Sequence, residues 1–467
     1  MPSSPIRPAA RLKLSRSDPV SSAFSNDQEY VIENARFGNI FYFILVLGFF
    51  LTFTLLLMLT PPIMTQTTQD QFISQVQTQK KFTTKVAFIA DAGLNEASRR
   101  VLRLIREEGC DIVLHQGDLD YSGKAKEFYE SVDSELGESF PYFVTMGNYE
   151  SKRGAGRSVA WGAYSAIQRE RLKKIPDLRC AVVSSRNLAC SYEGISFVTS
   201  AIGVNASRLG LDLRELKAAQ SALWGETGDE IGTAATDFKY TWKFCSWHIP
   251  LIDFQVGFRE GVPWMASSKL VDANEACRLR GAIILTGHEH YYVRSHTIRR
   301  FSAVPKAVRY EVTHIEVSSK NSLLDANSTH YSLFPITSNL EDGTQLVELL
   351  KVGPGSTFAV VSGLGGHSVS IPSAQKQREF SHLSYVHPEN LITETDPNGK
   401  IFYPEITGAN SETSSNRIEK QMDPEYGYPF GALICVLQKS AVPRAKGFCY
   451  FKTISGKIVD RFILRRF

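Results

Sequence analysis

The sequence carries little net charge and has no strongly basic region. Its 467 residues include 52 lysines and arginines against 48 aspartates and glutamates, a formal charge of +4. No basic stripe is interleaved with aromatic residues, so we expect no nucleic-acid binding. No internal repeat is evident, and the length allows about two or three domains.

Lysine and arginine are also absent between Arg36 and Lys80. Within that interval, residues 38–60 provide about 20 uncharged, mainly apolar residues, which is enough to span a bilayer. The apolar region of a cleaved signal peptide would be shorter and nearer the N-terminus, so we predict a retained signal anchor. Basic residues precede this transmembrane helix and none follows it closely, which places the N-terminus in the cytoplasm and the rest in the lumen or outside the cell.

Cysteine is absent from the first 60 residues, and all seven cysteines lie after the predicted transmembrane helix. Cys180 and Cys190 flank a short turn, as do Cys435 and Cys449, so each pair looks like a hairpin that a disulfide could close. Cys245 lies in an apolar run and is predicted to be a buried thiol. The odd count leaves at least one cysteine unpaired within the chain.

Two triplets that begin at Asn205 and Asn327 are acceptors for N-glycosylation. Together with the span and the cysteines, they predict a single-pass membrane glycoprotein of the secretory pathway. Its compartment would be a lysosome-like organelle, an endomembrane or the cell surface.

The rest of the chain divides by composition. Residues 1–37 are rich in Ser and Pro and are predicted to be a disordered cytoplasmic tail. Residues 61–84 are polar and are predicted to be a stalk. From residue 85 to 467, strand-like segments alternate with helix-like segments at 96–108, 124–136, 211–224 and 267–280. This alternation predicts an α/β domain with helices outside a largely parallel or mixed sheet. A polar stretch at 370–423 is interpreted as a surface insertion.

Five polar clusters follow strand-like apolar runs, at the carboxyl ends where open α/β sheets build their sites. Any one of them alone is usually a turn or a packed histidine. Chance placement of all five in this order is improbable. They are Asp91-Ala92-Gly93, Gly117-Asp118-Leu119-Asp120-Tyr121, Gly147-Asn148-Tyr149-Glu150, Trp247-His248-Ile249-Pro250 and Gly287-His288-Glu289-His290.

These clusters offer carboxylates, imidazoles, one amide and one phenol, which is close to the ligand set of a two-metal hydrolase. Two metals about 3.5–4 Å apart stabilise the charge on a phosphoryl group and make a strong nucleophile from water. Asp118, in a tight turn after a strand, is the candidate that bridges both ions.

The series resembles the calcineurin-like metallophosphoesterases, and most closely the purple acid phosphatases. That family carries Asp-x-Gly, Gly-Asp-x-x-Tyr, Gly-Asn-His-Glu or -Asp, a strand-ending His and Gly-His-x-His in this order. The segments YYVRS and VVSGLGGHS are also similar to theirs. The resemblance runs from about residue 83 to 467 and lacks the N-terminal β-sandwich domain of larger plant members. It implies a four-layer α/β/β/α sandwich of two mixed sheets flanked by helices.

The resemblance also implies a dinuclear metal centre with Fe(III) and a second ion that is Fe(II), Zn or Mn. The tyrosine phenolate of the first site favours Fe(III) and would colour the protein. Asp118 would belong to both sites. The first metal would be held by Asp91, Asp118, Tyr121 and His290, and the second by Asp118, Asn148, His248 and His288.

The chain departs from the family at one place in the site, where Tyr149 replaces the histidine of Gly-Asn-His-Glu. In the family that histidine contacts the substrate phosphate and assists the leaving group. The resemblance therefore makes Tyr149 and Asp118 the catalytic candidates, and Tyr149 and Asn148 the substrate-binding candidates. With a pKa near 10, a tyrosine is a poorer acid than an imidazolium. The alternatives are that Tyr149 merely packs over the site, or that His296 has taken over the acid role.

The sequence thus predicts a membrane-anchored, acid-phosphatase-like hydrolase in which a metal-bound hydroxide attacks phosphate monoesters. A phosphodiesterase or nucleotide hydrolase on the same scaffold is one alternative, because substrate choice is made by loops. A weakly active or non-catalytic metal-bearing surface module is another.

Overall fold

The computed structural model describes residues 82–151, 161–225, 242–255, 267–304, 307–318, 344–370, 383–385, 430–439 and 445–467. All of them belong to one structural unit, Gln75–Phe467. The predicted tail, the span, nearly all of the stalk and Asn327 lie outside these residues, and so does most of the 370–423 insertion. Within the described ranges, no helix has the length and apolar character that crossing a bilayer requires.

Strands and helices alternate along the first two thirds of the domain, and strands dominate the last third. The helices are α1 (Glu96–Glu107), α2 (Ala125–Leu136), α3 (Asn148–Ser151), α4 (Trp161–Leu172), α5 (Leu209–Trp224) and α6 (Ser268–Leu279). The strands are β1 (Thr83–Ile89), β2 (Ile112–His115), β3 (Tyr142–Val144), β4 (Arg179–Ser184), β5 (Asn187–Tyr192), β6 (Ile195–Thr199), β7 (Trp242–Ser246), β8 (Ala282–Thr286), β9 (Tyr292–Ser295), β10 (Thr297–Arg300), β11 (Arg309–Glu311), β12 (His314–Ser318), β13 (Thr344–Val352), β14 (Ala359–Ser362), β15 (Leu383–Tyr385), β16 (Gly431–Gln438), β17 (Lys446–Thr453) and β18 (Ile458–Arg466).

The strands form two eight-stranded mixed sheets. The first has the order β12-β13-β18-β17-β16-β1-β2-β3 and the second β15-β9-β14-β8-β7-β6-β5-β4. In the first sheet, β1, β2 and β3 are parallel, with Val86 opposite Ile112 and Val113 opposite Tyr142. In the second, β6, β7, β8 and β14 are parallel. The five polar clusters lie at the carboxyl ends of β1, β2 and β3 in the first sheet and of β7 and β8 in the second.

The two sheets lie face to face, because each presents aromatic side chains to the other. Phe88 of β1 lies 5.3 Å from Phe244 of β7, between ring centroids. Phe143 of β3 lies 4.6 Å from Phe197 of β6. On the first sheet α1 packs against β16, and on the second α5 packs against β4–β6 and α6 against β8. The predicted α/β fold with two mixed sheets is confirmed.

Local sequence explains the helix boundaries. Asn95 caps α1, because its side chain accepts a hydrogen bond from the Ser98 N–H, and the buried face of the helix includes Val101 and Ile105. The predicted helices at 96–108, 124–136, 211–224 and 267–280 are each reproduced within two residues at either end. The sequence analysis did not predict α4.

Two of the three disulfides close hairpins, as the sequence predicted. Cys180 lies opposite Cys190 across β4 and β5, and Cys435 opposite Cys449 across β16 and β17. The prediction that Cys245 is a free buried thiol was wrong, because it forms a disulfide with Cys277. Strand β7 and helix α6 bring these two residues together although 32 positions separate them in sequence. Cys110 is the unpaired cysteine, and it is buried.

Candidate metal centre

The five clusters occupy turns at the carboxyl ends of β1, β2, β3, β7 and β8. Four of their residues, Asp91, Asp118, Tyr121 and His288, have positive φ angles of 57°, 53°, 59° and 71°. A non-glycine residue rarely adopts this left-handed conformation, which costs on the order of 1–3 kcal/mol and persists only where surrounding structure enforces it. Such strain concentrates at functional sites, and here it falls on predicted metal ligands.

One group of side chains forms around Asp118. Ligand-type atoms of Asp118, His248 and His288 all lie within 4.8 Å of one another. The Asp118 Oδ2 to His248 Nε2 distance is 3.3 Å. The amide oxygen of Asn148 lies 2.9 Å from both His248 Nε2 and His288 Nδ1. All four residues predicted for the second metal therefore converge on one point.

The orientation of His248 suits a metal ligand. Its Nδ1–H donates to the backbone carbonyl of Gln116 at 2.7 Å, which turns Nε2 toward Asp118 and Asn148. A histidine that binds a metal through one nitrogen commonly donates from the other to such a carbonyl.

A second group forms around Asp91. The Tyr121 hydroxyl donates to Asp91 Oδ1 at 3.0 Å and lies 2.9 Å from His290 Nε2. His290 Nδ1 in turn contacts the Ser368 hydroxyl. Asp91 Oδ2 is buried and has no hydrogen-bond partner in the described part of the chain. A buried carboxylate oxygen without a partner is unusual, and a bound cation would satisfy it. The residues therefore fit a metal here as well.

The two groups adjoin through their backbones. The Asp91 N–H donates to the Gly117 carbonyl, and the Ala92 N–H donates to the Asp118 carbonyl, both at 3.1 Å. From the other sheet, a Cβ placed on Gly287 would lie 2.9 Å from Asp91 Oδ2. Backbones from both sheets thus approach closely at the place where the two groups of side chains adjoin.

The surroundings of Asp118 and His248 favour a negative charge on the aspartate and a positive charge on the histidine. Burial raises the pKa of Asp118, but His248 and the Tyr149 backbone N–H outweigh it and lower the pKa overall. Burial lowers the pKa of His248, but Asp118 and Asp91 outweigh it and raise the pKa overall. A metal would therefore displace a proton from His248 on binding. Burial, with a contribution from His248, lowers the pKa of His288 to about 4, so that ring is neutral at neutral pH, as a ligand requires.

A comparison with protein families agrees with this geometry. Residues 84–292 match the model of the calcineurin-like phosphoesterases. This match covers less than half of the chain. Members of this family use a dinuclear metal centre and act on phosphate esters. No curated protein matches the chain at a significant level.

Solved structures with a similar arrangement are distant in sequence. A purple acid phosphatase from yellow lupin (Lupinus luteus) seeds is 13% identical, with a TM-score of 0.42, over 82% of this chain and 54% of that one. The chain therefore spans about half the length of the lupin protein. GAP50, the anchor in the inner membrane complex of Plasmodium, is 10% identical, with a TM-score of 0.37, over 83% and 90% of the two chains. PhoD is 12% identical, with a TM-score of 0.35, over 81% and 72%.

At the candidate site, Glu150 has a positioning role that the sequence analysis did not assign. Its buried carboxylate accepts backbone N–H groups from Gly147 at 2.7 Å, Leu119 at 2.8 Å and Asp118 at 3.1 Å. It thereby fastens the turn after β2 to the turn after β3. Burial and the charge of Asp118 raise its pKa. The signal in the sequence was the acid that ends the Gly-Asn-Tyr-Glu cluster.

Tyr149 lies at the edge of the site. Its backbone N–H donates to Asp118 Oδ1 at 2.9 Å, and its ring centroid lies 4.4 Å from that of Tyr121. The structure therefore places this side chain beside the group of residues around Asp91. His296, the alternative acid, instead bonds Glu348 at 2.6 Å and stacks near Tyr310, so its contacts lie elsewhere.

The sequence analysis also missed His367 as a site residue, although it quoted the segment that contains it. The His367 ring stacks on Tyr121, with centroids 3.4 Å apart. Away from the site, Asn205 caps a short 3-10 helix, Ala206–Arg208. The Asn205 side chain is exposed, so a glycan attached to it would not need to enter the core.

Proposed function

We propose that this domain is a dinuclear-metal phosphoesterase that hydrolyses phosphate monoesters in the manner of the purple acid phosphatases. The observation that supports the proposal is the convergence of seven side chains of types that can bind metals, in two adjoining groups on turns from both sheets. Their residue types match the resemblance that the sequence analysis found, position by position.

In this proposal Asp91, Tyr121 and His290 would hold the first metal, Asn148, His248 and His288 would hold the second, and Asp118 would be a ligand of both. The tyrosine favours Fe(III) in the first position, and Fe(II), Zn or Mn would fill the second. When bound, the pair supplies Lewis-acid activation of the phosphoryl group and of a water nucleophile.

The protein's own contribution to the reaction is orientation. The Gln116 carbonyl fixes the His248 ring, and Asn148 contacts both His248 and His288. Glu150 fixes the Asp118 turn. The site thus presents its ligands in place before substrate arrives, which lowers the reorganisation needed in the transition state.

A second candidate function is a metal-bearing module with weak or no turnover, and Tyr149 favours it. The phenol at this position replaces an imidazole that would otherwise contact substrate and protonate the leaving group. A phosphodiesterase is a third candidate on the same scaffold. Little or no turnover on either p-nitrophenyl phosphate or the bis-p-nitrophenyl diester would favour the module, and the ratio of the two rates distinguishes the monoesterase from the diesterase.

The decisive experiment is metal analysis and turnover of the full-length protein. We expect two metals per chain and a visible absorption band from the tyrosine. Asp118→Asn should lose metal and activity together. Asp177→Asn is a matched control, because Asp177 is exposed and has a similar φ of 59°. Wild-type protein that binds no transition metal, even after reconstitution, would refute the proposal.

For the cellular setting, we propose a single-pass anchor at residues 38–60 with the domain in the lumen or outside the cell. The three disulfides support this, because such bonds persist in oxidising compartments. The exposed Asn205 acceptor supports it too. Protease added to sealed microsomes should trim the tail and spare the domain. Digestion of the domain from the cytosolic side would contradict this topology.

A further inference from the structure

We propose that His367 is a substrate-binding residue of this site and that its imidazole N–H donates a hydrogen bond to a phosphoryl oxygen. The inference rests on the proposed phosphoesterase function and deepens it, because it assigns an imidazole donor to a site that has a tyrosine at position 149.

The location of the ring is the first argument. His367 stacks on Tyr121 with 13° between the ring planes, and its centroid lies 5.5 Å from that of His290. Tyr121 and His290 are two of the residues that would hold the first metal. The His367 side chain is half-buried, so a solute at the metals could reach part of the ring.

The second argument is that the backbone holds His367 in place. Its N–H donates to the Asp91 carbonyl at 3.1 Å. The two preceding residues, Gly365 and Gly366, pack closely against the end of β1 and the start of α1. A Cβ on Gly365 would overlap the Ala90 carbonyl, and a Cβ on Gly366 would overlap Ser98. The Gly366 carbonyl also accepts from Asn95 Nδ2 at 2.8 Å. The loop therefore fixes the position of the histidine relative to a predicted ligand.

The third argument is the placement of the other histidines that the structure describes. His248, His288 and His290 belong to the two ligand groups. The rest lie in other surroundings: His115 bonds Tyr142, His296 bonds Glu348, and His314 is exposed on β12. Within the described ranges, His367 is thus the imidazole beside the metals that is not needed as a ligand. A phosphate ester arrives with negative charge, and an N–H donor is what it requires.

The test compares two substitutions at this position in the metal-loaded, full-length protein. His367→Phe keeps a flat ring that can stack on Tyr121 but removes the N–H groups. His367→Gln keeps an N–H donor. The measured quantity is the affinity for inorganic phosphate, by titration calorimetry, together with metal content and the thermal unfolding midpoint. His314→Phe is the matched control.

We expect His367→Phe to weaken phosphate binding about tenfold or more, since a hydrogen bond to a charged group is lost. His367→Gln should recover part of that affinity. Metal content and the unfolding midpoint should not change in either variant, and His314→Phe should bind phosphate like wild type.

Unchanged phosphate affinity in His367→Phe would overturn the inference and leave the ring a packing role. Loss of metal in that variant would also overturn it, because His367 would then be a ligand. Since phosphate binding is measured without turnover, the inference and the proposed hydrolase activity can fail separately. A wild-type protein that binds phosphate through His367 but hydrolyses no ester would refute only the activity.

Discussion

Glu150→Gln tests whether the positioning of Asp118 depends on one buried carboxylate. Glu150 is 2% exposed, and its two oxygens accept three backbone N–H groups. Glutamine has one accepting oxygen. In its better orientation the amide oxygen keeps the Asp118 and Gly147 N–H groups, and the Leu119 N–H then faces an NH₂ group instead of an acceptor.

The magnitude follows from that single lost acceptor. An unsatisfied buried N–H costs about 1–3 kcal/mol. Above about pH 8, the pKa to which burial and Asp118 raise this carboxyl, the substitution also removes a charge that Asp118 repels, which offsets part of the loss. We therefore expect the free energy of unfolding to fall by about 1–2 kcal/mol. Because Glu150 holds the turn that carries Asp118, metal affinity should fall about 10–100-fold, as it does when a residue that supports a metal ligand is replaced.

The assay is metal competition against a chelator, combined with denaturant unfolding of the metal-free protein. Glu127→Gln serves as the control, since Glu127 is exposed on α2. A variant that loses stability but keeps wild-type metal affinity would refute the reasoning. In that case Glu150 would stabilise the two turns without positioning Asp118.

Four further predictions concern single side chains. Tyr121→Phe should mainly abolish the visible absorption band of the metal-loaded protein, and a band of unchanged intensity would show that this phenol is no ligand. Tyr149→His should raise turnover of a sugar phosphate more than turnover of p-nitrophenyl phosphate, whose leaving group needs little protonation. General acid assistance is worth about 10²–10⁴-fold. If the substitution leaves both rates equal to or below those of the wild type, Tyr149 only packs over the site. Arg294→Met should destabilise the fold by about 3–5 kcal/mol in denaturant titrations, because it removes the buried cation that the buried Glu348 and the partly buried Asp460 share. A loss below about 1 kcal/mol would contradict this. Burial raises the pKa of Glu108, but hydrogen bonds from Lys452 and Tyr450 and the charge of Lys85 outweigh it and lower the pKa from 4.5 to about 2. The stability that the charged Glu108 contributes should therefore be complete above pH 4.5 and disappear as the pH falls toward 2. The difference in unfolding free energy between wild type and Glu108→Gln should shrink over that range.

Local sequence was sufficient to predict four of the described helices, the strands that precede the polar clusters and the residue types in the turns. The apolar period of α1 and the runs that became β1, β2 and β8 are readable within a dozen residues, so their positions were predicted closely. The two hairpin disulfides were predictable for the same reason, since their cysteines are 10 and 14 positions apart. The order of the clusters indicated which residue types would meet, because strand ends of one sheet share an edge.

Contacts between distant segments were decided only by the tertiary structure. Cys245 looked like a core thiol because its partner lies on a helix 32 residues later. The role of Glu150 depends on a turn about thirty residues earlier in the chain, and that of His367 on glycines that let one loop press against β1. Such contacts form when the two sheets and their helices pack together and exclude water. A local sequence pattern does not specify which segment, distant in sequence, will lie against a given side chain. The sequence by itself thus determined which residue types with metal-binding chemistry stand at the strand ends, and the packing of the two sheets determined where these residues lie and which groups support them.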